Sequence, residues 1–130
     1  MTDTPKISES EWEIMKIIWR NSPITAEQIT YLLPDEIGWS DKTVRTFINR
    51  LLKKQVIGFE KEGRSYKYHP LVLEEECIKS ESKSFLKRVF GGAAHMMVTN
   101  FIEEIDLSDK EIEHLQKILQ EKQNQEKRKH

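Results

Sequence analysis

Polar and apolar residues follow the 3.6-residue period of an α-helix in two stretches near the start of the chain. The first stretch opens with a capping box, Ser8 with Glu11, and extends for about three turns. The second opens with another capping box, Thr25 with Gln28, and covers roughly residues 26–33. The apolar face of this second helix is predicted to bury Ile29, Leu32 and Leu33.

A third amphipathic stretch begins at Ser40, a good N-cap, with Asp41 in the first turn, where the helix dipole favours an acid. Its apolar stripe has the spacing of one helix face and consists of Val44, Phe47, Ile48, Leu51 and Leu52. The opposite face carries Lys42, Arg45, Thr46, Asn49 and Lys53, with Thr43 and Arg50 on its flanks. The pattern predicts a helix with one face in the core and a basic face in solvent.

The period changes from 3.6 to 2 directly after this helix. Ile57 and Phe59 alternate with polar neighbours, Glu62-Gly63 forms a turn, and a second alternating stretch returns to Tyr68. Three helices with short connections, followed by a hairpin, have the order of a winged helix-turn-helix. The third helix is then the recognition helix, and the hairpin is the wing.

Three further helices are predicted beyond Pro70, over about residues 73–90, over about residues 93–105 after the break at Gly91-Gly92, and from Ser108 onward. Their apolar stripes have no obvious partner in the first part of the chain, whereas a copy related by a two-fold axis would cover them. The predicted dimerisation surface consists of Phe85, Leu86, Val89, Met97, Phe101, Ile102, Ile112, Leu115 and Leu119. A compact helical domain folded onto the winged helix is the alternative.

The predicted fold class is therefore mainly α with a small β-hairpin. Residues 1–72 form a winged-helix DNA-binding domain, and residues 73–122 form a three-helix dimerisation module. The tail from Glu121 is charged and has no apolar residue, so it is predicted to fray, with residues 123–130 disordered.

Charge is concentrated in one part of the chain. The 130 residues carry a net charge of −1, which by itself does not suggest a nucleic-acid-binding protein. Residues 40–68, however, contain eight Lys or Arg against three acids, and no acid lies between Asp41 and Glu60. A local basic surface on a nearly neutral protein is compatible with binding to DNA.

Several classes of function have no support in the sequence. The single cysteine, Cys77, excludes an intramolecular disulfide, and neither a membrane-spanning run nor a signal peptide is present, so we expect a cytoplasmic location. The histidines have no metal-ligand spacing, and no nucleophile–base or phosphate-binding motif occurs. We therefore predict no enzyme activity, no metal and no cofactor.

The recognition helix and the wing supply the candidate DNA contacts. Lys42 and Thr43 lie near the front of the helix, and Arg45 and Thr46 are the candidates for base contact. Ser40 can hold a phosphate at the helix N-terminus. The residues expected to contact mainly phosphates are Arg50, Lys53, Lys61, Arg64 and Lys67.

Two other interpretations of the basic face remain open. It can simply be a solvated helix face, or the winged helix can bind a partner protein without sequence-specific DNA binding. The mixture of Arg with short hydroxyl and amide side chains favours DNA, because these types reach base edges and phosphates in the major groove.

The chain resembles the penicillinase repressor (BlaI/MecI/CopY) family of bacterial winged-helix repressors. The residues that carry the resemblance are ISESEWEIMKIIW (7–19), WSDKTVRTFINRLLKK (39–54), KEGRSYKYHPLV (61–72), KSFLKRVFGG (83–92) and MVTNFIEEIDLSDKEIEHLQKIL (97–119). The resemblance implies a homodimeric repressor that binds a pseudo-palindromic double-stranded operator and is released by an inducing signal.

The resemblance also implies a route of inactivation. In the β-lactam-responsive branch, a membrane sensor with a protease domain triggers cleavage of the repressor between an Asn and a Phe, and the matching pair here is Asn100-Phe101. A membrane sensor protease, or a protease downstream of it, is then a partner in an antibiotic-resistance-type system. The copper-responsive branch carries a C-terminal cysteine motif that this chain lacks, so copper sensing by that motif is not expected.

Overall fold

The computed structural model describes residues 4–129, which form six helices and one antiparallel hairpin. Residues 1–3 of the predicted first domain and residue 130 of the predicted tail lie outside this range. In chain order the elements are α1 (Glu9–Asn21), α2 (Ala26–Leu32), α3 (Asp41–Lys53), β1 (Ile57–Glu62), β2 (Ser65–Pro70), α4 (Glu74–Phe90), α5 (Ala94–Glu104) and α6 (Asp109–Lys129). The fold is mainly α with a small β-hairpin, as the sequence predicted.

The chain divides into two compact units, residues 1–84 and 85–130. The sequence predicted a boundary at residue 72, whereas the junction of the two units lies within α4. The first half of α4 contributes Cys77 to the core of the N-terminal unit. The segment before α4 is also tied to that unit, because Trp19 Nε1 donates a hydrogen bond of 3.0 Å to the carbonyl oxygen of Val72.

The N-terminal core is formed where α1, α2 and α3 meet the start of the hairpin. Its fully buried side chains are Ile14, Met15, Ile18, Ile24, Ile29, Val44, Ile48, Leu51, Val56 and Ile57. Both predicted capping boxes are present, so α1 and α2 begin where the sequence indicated. The predicted burial of Leu32 was wrong, because Leu32 is 45% exposed. Leu33, which was also predicted to be buried, follows the helix in an extended conformation and lies in the core.

The hairpin is held by its own turn and by the segment that precedes α2. Glu62 pairs with Ser65, and Gly63 between them has a φ of +60°, a conformation that glycine adopts without steric cost. At the other end, Tyr68 exchanges two backbone hydrogen bonds with Ile24, of 2.7 and 3.1 Å. The wing is therefore fastened to the loop between α1 and α2.

The C-terminal unit contains an aromatic cluster and two helices with different ends. Phe85 contacts Phe90 and Phe101, with ring centroids 5.9 and 6.1 Å apart. The N-cap of α5 is Ala93, which makes no side-chain capping bond, and Gly91 and Gly92 before it have positive φ. By contrast, α6 begins with a complete Ser108–Glu111 capping box.

The tail that the sequence predicted to be disordered is helical over residues 123–129. Helix α6 continues to Lys129. The tail is rich in Glu, Lys, Gln and Arg, which are good helix formers, and three basic residues in the last turn complement the helix dipole. The absence of apolar residues removes packing from this segment but leaves its helix propensity intact.

Candidate nucleic-acid interface

The outer face of α3 carries the predicted contact residues in solvent. Lys42, Arg45, Thr46, Asn49, Arg50 and Lys53 are exposed, and Thr43 is half-buried. The helix begins as predicted, with the hydroxyl of Ser40 accepting a hydrogen bond of 3.2 Å from the backbone N–H of Thr43. The structure therefore brings together, on one face, every α3 residue that the sequence placed there.

Thr46 is constrained by its own helix. Its hydroxyl donates a hydrogen bond of 2.9 Å to the carbonyl oxygen of Lys42. With the proton directed at the backbone, the oxygen keeps its acceptor capacity, and the methyl group is available for apolar contact. Such a side chain is suited to accept from a base amino group or to touch a thymine methyl.

Arg50 is oriented by an aromatic ring. Its guanidinium lies 5.4 Å from the centroid of the Phe47 ring, and that ring packs against Trp39 with centroids 4.9 Å apart. An arginine over a partly buried ring keeps its charged guanidinium in solvent while the aliphatic part of its side chain packs against the protein. Arg50 thus presents a positive charge beside the C-terminal half of α3.

The two faces of the wing differ in their basic residues. Lys61 pairs with Tyr66 across the strands and shares a face with the buried residues Ile57 and Tyr68. Its ammonium lies 5.9 Å from the Tyr66 ring centroid. Lys67 lies on the opposite face, where its ammonium forms an ion pair of 3.1 Å with Glu62. Arg64 is exposed in the turn itself.

Arg45 has a partner that the sequence analysis did not identify. Its Nη2 donates a hydrogen bond of 2.7 Å to Oε1 of Glu27, in the first turn of α2. A hydrogen bond from its own backbone N–H lowers the pKa of Glu27; partial burial opposes this, and the Arg45 charge and the Thr25 side chain reinforce it. Nothing in local helical spacing indicates this pair, because the two residues are 18 positions apart.

Tyr68 connects the wing to the segment that enters α2, because its backbone exchanges two hydrogen bonds with Ile24. Burial raises the pKa of Tyr68, the positive charge of Arg45 opposes that rise, and the negative charge of Glu27 adds to it. Glu27 is therefore a partner of a predicted contact residue that the sequence did not indicate.

Lys54 belongs to the fold and not to the interface. Its ammonium donates hydrogen bonds to Oε1 of Glu11, at 2.5 Å, and to the carbonyl oxygen of Lys6, at 3.0 Å. Lys54 is one of the eight basic residues in the stretch 40–68, but its charge is used within the fold. The remaining basic residues of α3 and the wing retain the positive local charge.

The residues predicted for dimerisation and cleavage lie on the C-terminal unit and its junction helix. Val89, Ile102, Ile112 and Leu119 are exposed, between 39% and 56%, and Phe85, Leu86, Met97 and Leu115 are half-buried. The candidate cleavage pair lies within α5, where Asn100 is exposed and Phe101 is 40% exposed.

Residues 4–129 show neither a metal-binding cluster nor a membrane-spanning helix. Within this range, no three His, Cys, Asp or Glu side chains come together in a way that could hold a metal ion. No helix among these residues has both the length and the apolar character that crossing a membrane requires.

Comparisons with known proteins identify relatives along nearly the whole chain. The penicillinase repressor family model matches residues 7–121. A penicillinase repressor of Bacillus licheniformis is 40% identical over 127 residues, which is 98% of this chain and 99% of that protein. The methicillin resistance regulatory protein MecI of Staphylococcus aureus is 40% identical over 119 residues, or 92% of this chain and 97% of MecI.

A solved structure matches more than half of the chain. The solution structure of monomeric Bacillus licheniformis BlaI, in complex with the blaP half-operator, matches with a TM-score of 0.50 and 38% sequence identity. The match covers 58% of this chain and 93% of that one.

Proposed function

This chain belongs to the penicillinase repressor family, which consists of transcriptional repressors and not of enzymes, and we propose from that premise that it acts as a homodimer on a pseudo-palindromic operator. The observation that carries the proposal is the exposed outer face of α3. It holds Arg, Lys and Thr side chains in one continuous surface, without an acid between Asp41 and Glu60. These side-chain types read base edges and neutralise phosphates.

Arg45 and Thr46 are the residues that we propose for base contact. Arg45 is 56% exposed at its side chain and keeps guanidinium donors beyond the one bound to Glu27. Lys42, Thr43, Arg50 and Lys53 flank them and hold the helix on the backbone of the operator, together with the N-terminus of α3 at Ser40. On the wing, Lys61 and Arg64 reach the neighbouring phosphates. Lys67 is the weakest candidate, because Glu62 neutralises it on the other face.

The exposed apolar surface of the C-terminal helices supports the proposed homodimer. Neither α5 nor α6 has a buried residue, although both carry apolar side chains at helical spacing. Exposed apolar surface of this extent is typical of a protein interface. A second copy of the chain would cover the stripes and would place two recognition helices on two half-sites.

The relatives with known names regulate resistance to penicillin and methicillin, and we place this repressor in a regulatory system of the same type, in the cytoplasm. Its release from DNA would follow a cut between Asn100 and Phe101 by the sensor protease or by a protease downstream of it. Such a cut removes α6 from the rest of the chain. The two half-site contacts are then no longer linked, and the affinity for the operator falls.

The test is binding of the purified protein to its own upstream DNA and to a random duplex, across a series of salt concentrations. A dimeric repressor should prefer the upstream DNA strongly, and its binding should vary with the square of protein concentration when the protein is dilute. Equal binding to both duplexes would contradict sequence-specific repression. It would favour the alternative, a winged helix that binds a partner protein.

A further inference from the structure

We infer that Glu27 is a positioning residue that sets operator specificity by holding the guanidinium of Arg45 in the orientation in which it reads a base. The inference rests on the proposed function, since it assigns the base contact to Arg45. It makes Glu27, an acidic residue of α2 beside a basic surface, one of the residues that determine operator specificity.

The backbone that carries Glu27 is held in place. Helix α2 is fixed at its start by the reciprocal capping bonds of Thr25 and Gln28, at 3.0 and 3.2 Å. Glu27 lies in that capped first turn, between the two capping residues. A carboxylate on a fixed backbone can orient a long, otherwise mobile arginine.

The contact occupies one terminal nitrogen of Arg45. Nη2 donates to Oε1 of Glu27 at 2.7 Å. A guanidinium is a rigid planar fork with five N–H donors, so a hydrogen bond at one nitrogen restricts the orientation of the plane and leaves the other donors for a base edge. Two donors in one plane are what bidentate recognition of guanine requires.

The helices that carry the pair pack into one core, in which Ile29 of α2 and Val44 of α3 are both buried. The entry to α2 is also tied to the wing, because the Tyr68 backbone exchanges two hydrogen bonds with Ile24. This packing restricts movement of α2 relative to α3. The guanidinium is therefore partly oriented before DNA arrives, which lowers the entropy lost on binding.

The negative charge of Glu27 also increases the preference for the operator in a second way, by repelling DNA phosphates. The Glu27 side chain is 72% exposed, beside a helix that faces DNA, and it opposes phosphates wherever Arg45 is not engaged by a base. A carboxylate in this position disfavours binding to random sequence more than binding to the operator. Specificity is a difference of affinities, and a repulsive group contributes to it as an attractive one does.

The experiment measures the ratio of affinities for operator and random duplex in a set of full-length variants. Glu27→Gln keeps the size of the side chain and removes its charge, and Glu60→Gln, on the wing face away from Lys61, removes an equal charge as a matched control. We expect Glu27→Gln to lower the ratio roughly tenfold, within the range of one base contact, through weaker operator binding and unchanged or tighter random binding. Glu60→Gln should leave the ratio unchanged.

The same substitution is then made in an Arg45→Ala background. Because Glu27 acts through Arg45, Glu27→Gln should lose most of its effect on the ratio there. An equal effect in both backgrounds, an unchanged ratio, or a uniform gain in affinity for both duplexes would each overturn the inference. Failure of the proposed function is distinct, because the unmodified protein would then show no preference for the operator. Thermal unfolding of each variant verifies that the fold is intact.

Discussion

Lys54, which follows the last residue of α3, donates a hydrogen bond to the buried carboxylate of Glu11 in the first turn of α1. The Glu11 side chain is 1% exposed, and the backbone N–H of Ser8 also donates to it at 2.8 Å. One carboxylate therefore completes the capping box of α1 and fixes the distal end of the recognition helix. The position of α3 depends on a pair of charges that make no contact with DNA in our proposal.

We predict that Lys54→Met destabilises the protein by about 1–3 kcal/mol, because the buried carboxylate of Glu11 loses its counter-charge. Urea unfolding followed by circular dichroism measures this loss. Lys53→Met is the matched control, since the Lys53 side chain is exposed and the same methionine is introduced one residue away. Equal stability of the two variants would contradict a structural role for the Glu11–Lys54 pair.

The stability should also depend on pH through Glu11. Burial raises the pKa of Glu11, but the hydrogen bonds from Lys54 and from the backbone and side chain of Ser8 outweigh it, so the pKa lies below the ordinary value of 4.5. As the pH falls, Glu11 is therefore protonated at a higher pH in the unfolded chain than in the folded chain. The contribution of Glu11 to the free energy of unfolding is complete above pH 4.5. It is lost as the pH falls through the lowered pKa of the folded state. Glu11→Gln should flatten the acid limb of a stability–pH curve; an unchanged limb would assign it to other carboxylates.

Arg45→Ala is expected to weaken operator binding by about 1–3 kcal/mol and to relax the preference at one operator position. The reason is that a bidentate base contact is lost together with its discrimination against other bases. Binding to a set of operators with single substitutions identifies that position. An equal loss on operator and random duplex would show that Arg45 contacts phosphate only.

Lys61→Ala should weaken binding to both duplexes alike and reduce the slope of log affinity against log salt by about one, as the loss of one phosphate contact does. Lys67→Ala is the control within the wing. Because Lys67 lies on the other face and pairs with Glu62, we expect a smaller change of slope from it. A slope unaffected by Lys61→Ala would remove the wing from the interface.

Leu119→Glu tests the homodimer. Leu119 is 56% exposed, so the charge should not disturb the packing within one copy while it disrupts an apolar contact between copies. Sedimentation should show a shift toward monomer, and operator binding should weaken by about tenfold or more, since the half-sites are no longer bound together. Gln125→Glu adds the same charge to an exposed polar position on a different face of the same helix. Dissociation by both variants would indicate a general effect of charge instead.

The local structure of this chain was predictable because its signals are local. The capping residues Ser8, Thr25 and Ser40 fix where three helices begin, and the 3.6-residue stripe fixes which face of α3 is buried. The same signals fail at a helix end, as they did for Leu32. There, a single change of backbone conformation decides whether that residue or Leu33 enters the core.

The partners of charged side chains were not predictable. Glu27 and Arg45 are 18 residues apart, and Glu11 and Lys54 are 43 residues apart. Neither pair has a signature in the sequence, because both depend on the packing of helices against each other. The exposed face of α3 could be predicted from the residue types along one helix. The carboxylate beside Arg45 could not, because it comes from another helix.

The start of α5 has a consequence for the lifetime of the protein. A protease binds its substrate as an extended strand, so a peptide bond inside a helix is hidden until that helix opens. Helix α5 follows two glycines and has no side-chain N-cap, features that favour opening. The rate of a cut at Asn100 would then follow the fraction of time that α5 is open, which hydrogen exchange measures at its amides. Packing of Phe101 against Phe85 opposes that opening, so in our proposal the aromatic cluster would slow the cut and prolong repression.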